Sequence, residues 1–229
     1  MKLSFFRRLF KPLHPEGIPW PGSVLYNRLS STRIFQWHYE ELSSHILRHC
    51  KSGRLLDVGT GPGRLLVGLH EKAPDLALVG VDVSSGMVEQ ARKNITAFGY
   101  TGSIDVREAN ATSLPFPDAS FDCVVSSGTM HHWKDATTGL NEVFRVLREG
   151  GCALMYDLVS DTPKPAIAEM RRRFGWWRTT LFWLHSFEEP FYSRVHFESL
   201  AEETLFGKGS TEFVGLLCCL LLRKPGKQV

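Results

Sequence analysis

Short apolar runs alternate with amphipathic stretches along most of the chain. The first helical pattern runs from about Ser31 to His49, with Ile34, Phe35, Leu42, Ile46 and Leu47 as its expected buried side. Leu55–Val58 reads as a short buried strand. A glycine loop follows, Pro62 suits the first turn of the next helix, and Leu65, Leu66 and Leu69 supply that helix's core face. Leu76–Val81 is a second strand, and Ser84 or Ser85 caps a helix carrying Met87, Val88 and Ala91 inward. Ser103–Val106 and Phe121–Ser126 read as strands three and four. A helix over Thr138–Arg148 is expected to stop at Gly150-Gly151, before a fifth strand over Cys152–Leu158. After a helix near Phe197–Leu205, Thr211–Leu216 and Leu217–Arg223 suit an antiparallel pair at a sheet edge.

Strands separated by helices predict a mostly parallel sheet covered on both faces, with right-handed crossovers. The fold class expected is α/β: a doubly wound, mostly parallel seven-stranded sheet with an antiparallel edge strand and a helical insertion after strand five. Residues 31–229 are read as one domain, with residues 163–192 as a cap. Pro12, Pro15, Pro19 and Pro21 break the preceding segment into an irregular extension over residues 1–30.

Composition narrows the class without naming a chemistry. Of 229 residues, 43% are hydrophobic and 22% charged, which suits a soluble globular chain. The net charge of +3 gives no footing for nucleic acid. Five cysteines with no CxxC pair suit reduced thiols in a cytoplasmic protein. The adjacent Cys218 and Cys219 are expected to point to opposite faces of a strand. No cluster shows metal-ligand spacing, so no metal is expected. The start has no h-region of a signal peptide and no run long enough to span a membrane. On a helix, Leu3, Phe6, Leu9, Phe10 and Leu13 would oppose Arg7, Arg8 and Lys11. That pattern leaves peripheral membrane contact through residues 1–13 open. Nothing in the sequence speaks to oligomeric state.

The stretch LLDVGTGPG, Leu55–Gly63, carries the chemistry. A glycine loop between strand and helix brings a ligand onto backbone N–H groups. Asp57 at the strand end would repel a pyrophosphate by several kcal/mol in a poorly solvated site, and it would attract an ammonium group. This disfavours a nicotinamide dinucleotide. S-adenosylmethionine (SAM) fits instead, its ammonium near Asp57 and its carboxylate on the loop. Asp82 closes the second strand, where a carboxylate accepts hydrogen bonds from ribose hydroxyls, and Val83 beside it can pack on an adenine face.

With these residues in view, the chain resembles the class I SAM-dependent methyltransferases, and most of all their small-molecule, type 11 branch. LLDVGTGPG, GVDVSSGMVEQARKN, ATSLPFPDASFDCVVSSGTMHHW and NEVFRVLREGGCALMYD match four family blocks in order over roughly residues 53–158. The resemblance implies a Rossmann-like fold and SAM as methyl donor. It assigns the methionine tail to Asp57, Gly59 and Gly61, with Thr60 also binding the cofactor, the ribose to Asp82, and the adenine side to Val83 and to Met87, which equally suits ordinary core packing. Ala109, Asn110 and Ala111 stand where the family often has Gly-Asp-Ala. Asn110 can accept from the adenine amino group through its carbonyl oxygen while losing the charge. Ser126 ends strand four, where its carbonyl is expected to face the ammonium.

Methyl transfer from a sulfonium is an in-line displacement in which positioning supplies much of the catalysis. His131 and His132 are the candidate general bases. Tyr26, Trp133, Asp157, Trp176 and Tyr192 are candidates for the acceptor site. Trp176, Trp177, Phe182 and Trp183 can form an apolar wall for an aromatic or lipophilic small molecule, and Arg171–Arg173 can meet an acidic group. Equally, these arginines form a solvated helix face with the tryptophans turned to the core. Two other functions fit the same residues: a SAM-binding regulatory or scaffolding protein without activity, and a methyltransferase of protein or RNA.

Overall fold

The strands assemble into one seven-stranded sheet in the order β3-β2-β1-β4-β5-β7-β6. The computed structural model describes residues 22–177, 179 and 192–226. The strands are β1 Arg54–Val58, β2 Ala77–Asp82, β3 Ile104–Glu108, β4 Phe121–Ser127, β5 Leu147–Asp157, β6 Gly209–Val214 and β7 Leu217–Arg223. β1 to β5 are parallel, and β7 runs antiparallel to both β5 and β6. The helices are α1 Gly22–Ser30, α2 Arg33–His49, α3 Arg64–Lys72, α4 Ser85–Ala97, α5 Ala136–Val146, α6 Lys164–Phe174 and α7 Arg194–Ser199.

The pleat divides the core in two. Leu56 and Val58 of β1 join Val124 and Met155 under Leu140 and Val143 of α5 and Phe197 of α7. Leu55 joins Leu78, Val125 and Leu154 under Leu42 and Ile46 of α2, Leu65 and Leu69 of α3, and Ala91 of α4. Each fully buried leucine contributes roughly 1.5–3 kcal/mol relative to an exposed one, so both faces of β1 hold it in register. Cys218 and Cys219 fall in opposite cores, as the period of two requires. All five cysteines are buried and free.

Local departures from the sequence reading have local causes. α5 stops at Val146, because Leu147 is already extended and pairs with Phe121 across β4. Gly150-Gly151 therefore lies inside β5 instead of ending a helix. At Gly151, a Cβ would sit 2.9 Å from the carbonyl oxygens of both Arg148 and Asp122. Pro62 lies in the turn before α3, whose N-cap is Gly63. Gly22–Ser30, expected as irregular chain, is helical and docked: Asn27 Nδ2 donates to Gln90 Oε1 at 3.0 Å, and Asn27 Oδ1 accepts from Arg64 and Asn94 at 3.0 Å each. α7 is shorter than expected, Arg194–Ser199. The amphipathic segment 1–13, Phe182 and Trp183 lie outside the described residues.

Candidate functional site

The sheet order reverses between β1 and β4, where neighbouring crossovers depart in opposite directions and open a crevice at the carboxyl ends of the strands. A cavity of about 1000 Å³ occupies that crevice. Its floor comes from Asp57, Asp82, Ser127 and Asp157, at or beside the ends of β1, β2, β4 and β5, and its far wall from α1 and α2.

Asp57 is poorly compensated there, with the Thr60 hydroxyl as its side-chain neighbour. It is 2% exposed, and its Oδ1 is buried without a hydrogen-bond partner. Burial pushes its carboxyl up from 3.8 to about 7. Asp82 is better satisfied. Its Oδ1 accepts from Ser84 N and its Oδ2 from Gly61 N, each at 2.9 Å, so the second acid holds the glycine loop in place. Burial raises its pKa as well. Two buried acids on one cavity wall call for a ligand bearing cationic or hydroxyl donors.

The loop glycines differ in what they do. Gly59 has φ +78°, and a Cβ there would lie 2.5 Å from Thr129 Oγ1, so close packing against the loop after β4 requires glycine. At Gly61, φ +53°, a Cβ would meet nothing nearer than Tyr26 Cε1 at 3.9 Å. Gly61 therefore leaves its space to the cavity. Tyr26 closes this side from α1, and burial, together with the Asp82 carboxylate, pushes its phenol up to about 12. Thr60, Val83, Met87, Asn110 and Ala111 all line the same cavity.

Several expectations change. Asn110 Oδ1 already accepts from Thr112 N at 2.9 Å and Thr112 Oγ1 at 2.8 Å, so the carbonyl expected to meet an adenine amino group is committed to its own turn. Ser126 is 1% exposed, its hydroxyl bonded to Thr129 Oγ1 at 2.8 Å, and it is Ser127, Gly128 and Thr129 that reach the cavity. Trp176 is 56% exposed and paired edge-on with Trp177, which is 72% exposed, so neither packs into the core or the described cavity. Arg172 and Arg173 are paired with Glu169 on the solvated face of α6. Tyr192 lies stacked on His196 and Phe197 instead of on the cavity wall.

His131, His132 and Trp133 follow β4 through a short 3₁₀ turn and line the cavity. His131 is 6% exposed and Asp157 is fully buried. His131 Nδ1 lies 2.8 and 2.9 Å from the two Asp157 oxygens, and His131 N donates to Asp157 Oδ2 at 2.9 Å. The carboxylate thus fixes both backbone and ring, and favours the tautomer with the proton on Nδ1. His132 packs its ring against His131, centroids 3.9 Å apart. Asp157 supports His131 instead of standing alone toward an acceptor.

Sequence reading missed the wall opposite the acids. Ile34, Phe35, His38 and Tyr39 of α2 and Leu217 of β7 face the cavity. Ile34 and Phe35 were expected in a helix–sheet core, and their apolar periodicity is the same in either place. Also missed is the clamp on the loop bearing Asn110 and Ala111. Arg145 Nη2 donates to Leu114 O at 2.9 Å and Nη1 to Phe116 O at 2.8 Å, while Glu142 Oε2 accepts from Leu114 N.

Comparison with known proteins adds a resemblance over the central part of the chain. The sequence pattern described as "Methyltransferase domain" matches residues 56–155. The chain is 36% identical over 119 residues to the ubiquinone/menaquinone biosynthesis C-methyltransferase UbiE of Geobacter sulfurreducens, covering 52% of this chain and 46% of that protein. It is 35% identical over 146 residues to the demethylmenaquinone methyltransferase of Deinococcus radiodurans, covering 64% and 58%. The chain spans about half the length of the curated relatives it matches. In fold it is similar to the crystal structure of a putative SAM-dependent methyltransferase from Methanococcus maripaludis. The TM-score is 0.72 at 22% identity, over 94% of this chain and 97% of that one.

Proposed function

We propose that this chain, like the SAM-dependent methyltransferases it is similar to, transfers a methyl group from SAM to an apolar small-molecule acceptor. One observation carries this reading: Asp57 Oδ1, buried and unpartnered, stands at the end of β1 beside the glycine loop. A buried carboxylate oxygen of this kind is stabilised by a cationic donor, and an α-ammonium supplies one. The residues fit the group: Asp57 for the ammonium, the Gly59–Gly61 backbone for the carboxylate, Asp82 for the ribose, Val83 and Met87 for the base. When bound, SAM supplies a methyl carbon already activated by the sulfonium.

The chain's own task is then to hold an acceptor in line and, where needed, to take its proton. Ile34, Phe35 and Leu42 of α2 with Leu217 and Trp133 give the remaining cavity an apolar wall. The relatives are named as methyltransferases of ubiquinone and menaquinone biosynthesis and of 2-methyl-6-phytyl-1,4-hydroquinone. Both facts favour a flat, lipophilic, phenolic acceptor here. His131, oriented through Nδ1 by Asp157, presents Nε2 as the base for a phenolic proton.

Calorimetry with SAM, S-adenosylhomocysteine and NAD tests the donor site. The first two are expected to bind and NAD is not. Tight NAD binding without SAM binding would overturn the reading. A methyl-transfer assay over a panel of hydroquinones and catechols then tests the acceptor, and turnover only of protein or RNA would replace it.

A further inference from the structure

α2 enters the cavity wall with its first half and leaves it with a different constellation. His45 and His49, one turn apart on α2, meet Glu212 of β6, a residue 167 positions beyond His45. Among the described residues these form the one group of three or more histidine, cysteine or acidic side chains whose donor atoms all lie within 4.8 Å of one another. The sequence reading found no metal spacing because a histidine pair at i, i+4 is incomplete without its distant carboxylate.

We infer that His45, His49 and Glu212 bind one zinc ion, which clamps the second half of α2 to β6. Two imidazoles and one carboxylate, with water in the fourth position, are a donor set zinc accepts. His45 Nε2 and Glu212 Oε1 are 3.0 Å apart, close to the roughly 3.3 Å between ligands of a tetrahedral zinc with about 2.0 Å bonds. The His49 ring lies beside His45, with centroids 5.0 Å apart, and one of its ring nitrogens lies within 4.8 Å of the other two donor atoms.

The surroundings support a ligand role for His45. Its Nδ1 is 2.7 Å from the hydroxyl of Tyr156, which is buried on β5. In the tautomer that donates Nδ1–H to Tyr156, the Nε2 lone pair faces the Glu212 carboxylate, and a shared cation satisfies both. Histidine ligands are commonly held this way through the other ring nitrogen. Access is available, since the Glu212 side chain is 50% exposed while that of His45 is 1% exposed. Arg48 and Arg223, whose charges reach His49, are both exposed, so water screens them.

The test uses the full chain, stripped with a chelator and dialysed against buffered zinc chloride. One zinc per chain is expected, with a thermal midpoint that rises on zinc addition. His49→Ala and Glu212→Gln, at partly exposed positions that leave the buried His45 in place, are expected to weaken zinc binding by about tenfold or more and to remove the thermal response. Tyr156→Phe, which keeps the ring, is expected to weaken it roughly 10–100-fold. No zinc uptake, or equal uptake by wild type, His49→Ala and Glu212→Gln, would overturn the site.

Discussion

Gly61 N donates to Asp82 Oδ2 at 2.9 Å, so the loop after β1 is held by the acid that ends β2. The two motifs meant for different ends of one ligand are mechanically joined. Asp82→Ala is therefore expected to release the loop as well as the ribose contact. Its SAM affinity should fall by more than the roughly 1.5–3 kcal/mol of a single charge-assisted hydrogen bond. Calorimetry checks this, and a loss confined to adenosine binding, with the methionine end unaffected, would count against the coupling.

Asp57 ties stability to ligand binding through its raised pKa of about 7. Between pH 4 and 7 the folded chain holds a proton there that the unfolded chain has lost. Stability without ligand therefore falls as pH rises through this window, by at most roughly 4 kcal/mol above pH 7. Asp57→Asn is expected to gain on wild type as pH rises from 5 to 8, measured by urea unfolding without SAM. The same variant is expected to lose SAM binding. In wild type, SAM affinity should weaken below pH 7, by at most about tenfold per unit, as the carboxylate takes a proton.

The glycine loop separates packing from approach. Gly59→Ala places a methyl 2.5–2.8 Å from Thr129 side-chain atoms and is expected to destabilise the fold by roughly 1–3 kcal/mol. Gly61→Ala has room, so only the left-handed backbone costs about 1–2 kcal/mol. Its larger effect is expected on SAM affinity, because the new methyl occupies ligand space. Thermal melts and calorimetry on both variants distinguish the two roles, and equal effects on both readouts would remove the distinction.

His131 and Asp157 should separate chemistry from binding. His131→Asn is expected to lower kcat by roughly 10²–10⁴ on an acceptor that must lose a proton, with SAM Kd little changed. Asp157→Asn removes the charge and turns one of the two oxygens that accept around His131 into an amide donor, so it should lower kcat in the same direction and leave KM for SAM near wild type. A matched loss of SAM affinity in both variants would assign the pair to structure alone.

Asn110 offers a gain of binding. Thr112 occupies its Oδ1. Asn110→Asp keeps that turn and adds a charged second oxygen on the adenine side. SAM affinity is expected to rise by about 1 kcal/mol, roughly fivefold. Unchanged affinity would mean that the side chain points its second atom away from the base.

The cavity residues proposed for the donor were legible from residue order because their pattern is local. The Leu55–Gly63 stretch sets a strand, a turn and three left-handed glycines within one short segment, and Asp57 and Asp82 are both acids at or beside strand ends. Ser126 stops one position short of the residues that line the cavity, since which residue reaches it depends on where β4 ends. Trp176 is exposed outside the described cavity, a placement the sequence could not give because an aromatic beside arginines looks the same whether it lines a pocket or faces water.

The sequence by itself determined the alternation of strands and helices, the glycine loop that lines the cavity and the acidic groups it presents to a ligand. These follow from hydrophobic period, backbone freedom at glycine and Coulomb's law, all of which act between near neighbours in the chain. Only the tertiary structure decided that α2 walls the cavity, that Asp157 serves His131, and that Glu212 meets His45. Each of those pairs residues far apart in sequence, and their meeting is set by strand order and helix packing.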